Sequence, residues 1–126
     1  MVDTRTVLLV DDEPDVVLVI RGRLMTWGYQ VVTATNGQEA LDAVNQRIPD
    51  LILMDLKMPL MDGLEACRRL KTDPRFSKIP IILITSSSQK AATEEISALQ
   101  ADDCVIKPFE PKEFLAKVEK RIGRPT

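Results

Sequence analysis

Histidine is absent from this chain of 126 residues, and cysteine occurs only twice, at Cys67 and Cys104. The two cysteines lie far apart and outside any metal-ligand spacing, so with no histidine a zinc site cannot be assembled. So little cysteine also fits a reduced, cytoplasmic compartment. A strong charge of one sign is missing as well. Seventeen basic against nineteen acidic residues leave a net charge of -2, which gives no whole-chain field to attract nucleic acid or an anionic membrane. Direct DNA binding is therefore not expected. Near the N-terminus, Asp3 and Arg5 precede only the short apolar run Val7-Leu8-Leu9-Val10. That run is shorter than a signal-peptide core and far below a membrane span, so neither export nor membrane insertion is expected. Internal repeats, low-complexity tracts and a linker to a second domain are all lacking. With 44% hydrophobic residues the whole chain reads as one domain, residues 1–126, with a core from about 5 to 122.

What the chain does contain is a strand and helix pattern repeated five times. The spacing predicts strands over about Thr6 to Val10, Val31 to Ala34, Leu51 to Met54, Ile79 to Ile84, and Val105 to Ile106. Between them run helices with apolar stripes: Val16, Ile20, Leu24 and Trp27; Ala40, Leu41 and Val44; Leu64, Cys67 and Leu70; Ala92, Ile96 and Leu99; Phe114, Val118 and Ile122. Pro14 suits a first helical turn, Gly28 and Gly123 suit helix ends, and Asn36-Gly37 marks a turn. Alternating strands and helices imply a parallel sheet covered on both faces with right-handed crossovers. The expected architecture is therefore an α/β, flavodoxin-like, doubly wound sheet of five parallel strands in the order 2-1-3-4-5 with five helices.

Chemistry enters at two strand ends. The segment Asp50-Leu51-Ile52-Leu53-Met54-Asp55 runs from an apolar strand, of the kind buried on both faces, straight into a carboxylate. The first strand ends in the same way, in Asp11-Asp12-Glu13. In the expected strand order the first and third strands are neighbours, and the crevice between them is the topological switch point where open α/β sheets bind their ligands. Asp11, Asp12 and Asp55 would converge there, and three adjacent carboxylates imply a bound cation. The fourth and fifth strands end beside them in Thr85 and Lys107. Taken singly, Asp55 could cap a turn, Asp11 and Asp12 could cap the first helix, Thr85 could be a strand-end β-branched residue, and Lys107 a solvated charge.

Taken in order and at these separations, the stretches VLLVDDE, DLILMDLKMPLMDG, IPIILITS and VIKPFEPKEF resemble the receiver domain of two-component response regulators over essentially the whole chain. The resemblance implies that Asp55 is the phosphoacceptor, attacking phosphorus to form an aspartyl phosphate. It implies that Asp12 is a direct ligand of Mg²⁺, that Asp11 reaches the ion through water, and that the backbone carbonyl of Lys57 completes the coordination. Thr85 matches the hydroxyl that hydrogen-bonds a phosphoryl oxygen, and Lys107 the ammonium that pairs with the same group. Lys107-Pro108 matches a cis-proline junction, although residues alone leave the isomer open. The implied partners are a histidine kinase or histidine phosphotransfer protein upstream and an unidentified protein downstream. The domain would catalyse only its own phosphorylation and dephosphorylation, acting as a signalling phosphoacceptor rather than an enzyme on other molecules.

Two departures bear on output. Cys104 stands where the family usually has the aromatic that, with the hydroxyl at Thr85, reports the phosphorylation state. Gln100 stands where glycine is frequent, so the end of the fourth helix is expected to lack a left-handed cap. On the first helix Leu18 faces away from the core stripe, which suits either kinase docking or an ordinary exposed leucine. The run Ser86 to Ser88 suits a mobile loop beside the site. A hydrolase of the aspartate-nucleophile type would need an acid where Lys57 stands, and a flavin binder would be repelled by Asp11, Asp12 and Glu13. A degenerate receiver that only binds partners fits less well, since every chemical residue is present. The chain reads as a stand-alone receiver or as one excised from a longer regulator, with Gly123-Arg124-Pro125-Thr126 as the start of a linker.

Overall fold

Ten elements alternate along the chain: β1 (Thr6–Val10), α1 (Pro14–Thr26), β2 (Gln30–Ala34), α2 (Gly37–Gln46), β3 (Leu51–Asp55), α3 (Gly63–Thr72), β4 (Ile81–Thr85), α4 (Gln89–Leu99), β5 (Asp103–Ile106) and α5 (Pro111–Ile122). The computed structural model describes residues 5–56, 58, 61–86 and 88–125, without the side chains of residues 89, 92 and 95, so the expected core position of Ala92 lies outside it. All strand pairs are parallel, in the order β2-β1-β3-β4-β5. The order is the expected one.

The three inner strands are buried along their whole length, and the two-residue repeat of a strand divides them between two cores. Leu8, Val10, Ile52, Met54, Ile81 and Leu83 pack on one face beneath α2, α3 and α4. Val7, Leu9, Leu51, Leu53, Ile82 and Ile84 pack on the other beneath α1 and α5, against Ile20, Leu24, Phe114 and Val118. Each strand therefore needs apolar residues on both faces along its middle, which is why these segments show no alternation in sequence.

Helix ends follow local chemistry. Asn36 and Asp62 cap α2 and α3 by accepting from the backbone N–H of Glu39 (2.9 Å) and Glu65 (3.0 Å). Gly28 closes α1 at φ 97°, with Tyr29 N–H donating back to the Leu24 carbonyl at 3.1 Å. The Lys107-Pro108 peptide is cis.

Three expectations need correction. Gln100 does form a left-handed cap on α4, at φ 57° and ψ 30°, with Ala101 N–H reaching the Ile96 carbonyl at 3.1 Å. A non-glycine residue can hold this conformation at a cost of about 1–2 kcal/mol, set here against satisfied terminal carbonyls. Strand β4 begins at Ile81 rather than Ile79, because Ile79 N–H is taken by the Phe76 carbonyl in the preceding turn and Pro80 has no N–H to give. Leu64 is 38% exposed: it sits in the first turn of α3, on the rim of a cleft, and Ala66 fills the core instead.

Candidate functional site

The site lies at the carboxyl ends of the strands. Asp11 follows β1 directly, and its N–H extends the ladder to the Ala34 carbonyl (3.0 Å), which fixes its backbone. One carboxylate oxygen of Asp11 accepts from Glu13 N–H at 2.9 Å. The other, Oδ2, is buried with no hydrogen-bond partner, a costly state for a carboxylate unless a cation is near. Asp12 is exposed beside it. Asp55 ends β3 and is nearly covered. Its place depends on Gly63: a Cβ there would lie 2.1 Å from the Asp55 carbonyl oxygen, so only glycine lets α3 close down on the end of β3. Thr85, buried, ends β4, and its carbonyl accepts from Lys107 N–H at 2.7 Å, which ties the chain after β5 to the site.

The Lys107 ammonium faces three acids. It lies 3.6 Å from Asp11 Oδ2, 3.6 Å from Asp55 Oδ2 and 3.2 Å from Glu13 Oε1. Partial burial works against its charge, but the hydrogen bond to Glu13 and the charges of Asp11 and Asp55 outweigh it, so its pKa is raised above the usual lysine value. An open cleft of about 460 Å³ borders these groups, lined by Asp55, Thr85, Ser86, Lys107, Glu13, Asp62, Met58 and Leu64 among others.

Carboxylate oxygens of Asp11, Asp12 and Asp55 lie within 4.8 Å of one another. Oxygen-only donors this close, one of them buried and lacking a hydrogen bond, fit a hard divalent cation. The sequence-predicted residues Asp11, Asp12, Asp55, Thr85 and Lys107 are thus brought to one place. The Lys57 carbonyl falls outside the described residues, as does Ser87 in the adjoining loop; Ser88 caps α4 through Ala91 N–H at 3.2 Å. Cys104 stands apart, buried on the α4 side of β5 with Leu83 and Leu99. Leu18 is 69% exposed. Glu13 was not among the residues expected in the site. Its contact with Lys107 spans 94 positions, and no local pattern announces it beyond a glutamate where helices prefer a shorter cap.

A five-stranded parallel sheet with three carboxylates and a lysine at its switch point defines a receiver-type α/β domain. The model for the response regulator receiver domain matches residues 7–119, and the chain belongs to that family. It is 40% identical over 118 residues to the "Probable transcriptional regulator ycf27" of Guillardia theta, covering 94% of this chain and 45% of that protein. It is 34% identical to the phosphate regulon regulator PhoB of Rhizobium meliloti, over 94% of this chain and 52% of the other. The chain thus spans about half the length of these relatives. Among solved structures, the receiver domain of sensor histidine kinase PA1611 from Pseudomonas aeruginosa superposes with a TM-score of 0.87 at 29% identity, over 95% of this chain and 98% of the other; a magnesium ion is coordinated in its active-site cleft. Chemotaxis protein CheY4 of Vibrio cholerae gives 0.86 at 29% identity, over 94% and 98%. The chain is therefore a signalling receiver domain of the two-component type, and its aspartate cluster fits a phosphoacceptor site. Among the described residues no helix is long and apolar enough to cross a membrane.

Proposed function

We propose that this domain takes a phosphoryl group from a phosphohistidine donor onto Asp55 and, so modified, changes its affinity for a downstream protein. The observation that carries the reading is the meeting of three carboxylates within 4.8 Å with a lysine ammonium 3.6 Å from two of them. A carboxylate oxygen of Asp55 forms the new bond to phosphorus as the donor's N–P bond breaks, and the histidine nitrogen leaves with the electron pair and is protonated. The Lys107 ammonium and the Thr85 hydroxyl engage the phosphoryl oxygens. Lys107 must swing only from its present acids to do so, and a point charge with rotatable donors suits a group that comes and goes. Asp11, Asp12 and Asp55 would hold Mg²⁺, with the Lys57 carbonyl as a further donor. The bound ion would offset the repulsion between the carboxylates and the anionic donor. Water later hydrolyses the acyl phosphate, so the domain turns over only its own modification. A histidine kinase or histidine phosphotransfer protein is the donor, the location is cytoplasmic, and any contact with DNA comes through other segments or partners of the kind its transcription-regulator relatives possess.

Incubation with Mg²⁺ and acetyl phosphate tests this. Intact-mass spectrometry is expected to find one acid-labile phosphoryl group on the wild-type chain and none on Asp55→Asn. Undiminished labelling of that variant would sink the assignment.

A further inference from the structure

Glu13 holds the N-cap position of α1, yet its side chain makes no capping bond to that helix. Its carboxylate reaches instead to the Lys107 ammonium at 3.2 Å, from an exposed position on the rim of the cleft that Asp55 and Thr85 line. Lys107 is 3.6 Å from Asp11 and from Asp55, so its hydrogen bond to Glu13 is the shorter of its contacts with acids. We propose that Glu13 is a positioning residue that holds Lys107 at the cleft mouth in the unphosphorylated state, so that an incoming phosphoryl group must take the ammonium from it. This rests on the phosphoacceptor reading of Asp55 and deepens it.

The chemistry is a competition of anions for one cation. Lys107 has three N–H donors on a flexible stem and can turn from Glu13 to a phosphoryl oxygen without moving its backbone, which the Thr85 carbonyl holds at 2.7 Å. Each phosphorylation therefore breaks the Glu13 contact, and each dephosphorylation restores it. Residue 13 then sets part of the balance between the two states. Because Glu13 is exposed, the contact is of the modest kind that surface ion pairs have, worth a few-fold in an equilibrium. Length matters as well as charge. An aspartate at this position is a good N-cap and would turn onto the α1 backbone, leaving Lys107.

The test compares wild type, Glu13→Gln and Glu13→Asp. In metal-free protein, the Lys107 Cε–Nζ resonances are expected to shift in both variants, because Glu13→Gln removes the charge on the acceptor and Glu13→Asp its reach. In Mg²⁺, the phosphoryl mimic beryllofluoride is expected to bind both variants about two- to fivefold more tightly than wild type, the range that an exposed ion pair supports. Were Glu13→Asp to behave as wild type in both measurements, net charge alone would account for the effect and the direct tether would be overturned. Unshifted Lys107 resonances and unchanged binding in Glu13→Gln would overturn it too. Asp55→Asn is run alongside. If beryllofluoride binds wild type and Asp55→Asn equally, the phosphoacceptor reading itself falls and takes this proposal with it; if binding needs Asp55 but ignores residue 13, only this proposal falls.

Discussion

The crevice between β1 and β3 and the edge formed by α4 and β5 are built to different standards. At the crevice, the described backbone is pinned at three points: Asp11 by the Ala34 carbonyl, Leu56 by the Ile84 carbonyl at 3.3 Å, and the start of α3 by the contact of Gly63 with the Leu56 carbonyl at 3.1 Å. The carboxylates rest on strands that expose nothing. At the α4 edge, Leu99 is buried and Ile96 half-buried among the described side chains, Thr93 and Glu94 are exposed, and the helix ends in a strained left-handed glutamine. Few buried apolar groups and exposed helical hydrogen bonds mark the parts of a protein that open most readily. The aspartate cluster thus rests on the fully buried strands, Thr85 and Lys107 join it from β4 and the end of β5, and the more exposed packing is that of α4.

Breaking the rigid region should cost the most. In Gly63→Ala the new methyl would meet the Asp55 backbone carbonyl oxygen at 2.1 Å, with no flexible side chain to yield. Overpacking of this kind costs about 1–3 kcal/mol, and the upper end is expected here. Urea denaturation should show that loss, together with weaker phosphorylation at Asp55. An α4 edge more sensitive than this crevice, judged by Gly63→Ala leaving stability unchanged, would reverse the comparison.

The second effect separates the acids within the crevice. If the proposed coordination holds, with Asp12 a direct ligand and Asp11 acting through water, Asp12→Ala is expected to weaken Mg²⁺ binding about a hundredfold and Asp11→Ala about tenfold. Calorimetric titration is the appropriate measurement, because Trp27 lies at the far end of α1 with the Arg124 guanidinium 4.1 Å above its ring. Metal-free Asp11→Asn is expected to be about 1 kcal/mol more stable than wild type, because relief of the repulsion among the carboxylates of Asp11, Asp12 and Asp55 outweighs the weakened 3.6 Å contact with Lys107. Equal losses of Mg²⁺ affinity in the two alanine variants would remove the division of roles.

How much of this was legible in the chain depends on the range of the cause. The strand expected over Leu51 to Met54, the order of the sheet and the convergence of Asp11, Asp12, Asp55, Thr85 and Lys107 all follow from apolar runs that end in polar residues, a local signal. Spacing suggests core for Leu64 and strand for Ile79, since it records periodicity but not which neighbour covers a position. The pairing of Glu13 with Lys107 leaves no local trace because the two lie 94 positions apart. A missing glycine at Gln100 does not mean a missing cap, because the backbone hydrogen bond from Ala101 to the Ile96 carbonyl accompanies the left-handed conformation, which a non-glycine residue adopts at a cost. That cost gives a third prediction. Gln100→Gly should raise stability by about 0.5–1 kcal/mol, the left-handed penalty less the entropy of glycine, seen as a higher urea midpoint. A lower midpoint would mean that the Gln100 side chain contributes more than its backbone costs.

The smallest expected effect concerns Cys104, and it bears directly on how the two regions communicate. The resemblance to receiver domains implies an aromatic at this position that follows the hydroxyl corresponding to Thr85. Burying a large apolar side chain is worth roughly 1.5–3 kcal/mol, enough to bias a two-state switch strongly. In this chain the position carries a thiol that is already buried beside Leu83 and Leu99, so it has little area left to exchange and no ring to swing. Its strand is nonetheless joined to β4, with Thr85 opposite Ile106 and Leu83 opposite Cys104. Any coupling must then pass through the backbone ladder rather than through a moving side chain. Activation is therefore expected to be carried by Thr85, Ser86 and the start of α4, with Cys104 nearly passive. Amide NMR shifts with and without beryllofluoride should be large at Thr85 and Ser86 and small at Cys104 and Val105, and Cys104→Ala should leave beryllofluoride affinity within about twofold of wild type, a difference of about 0.4 kcal/mol. Comparable shifts along both strands would show that the α4 and β5 edge moves as one body with the site, and the contrast between a rigid crevice and a separate mobile edge would not survive.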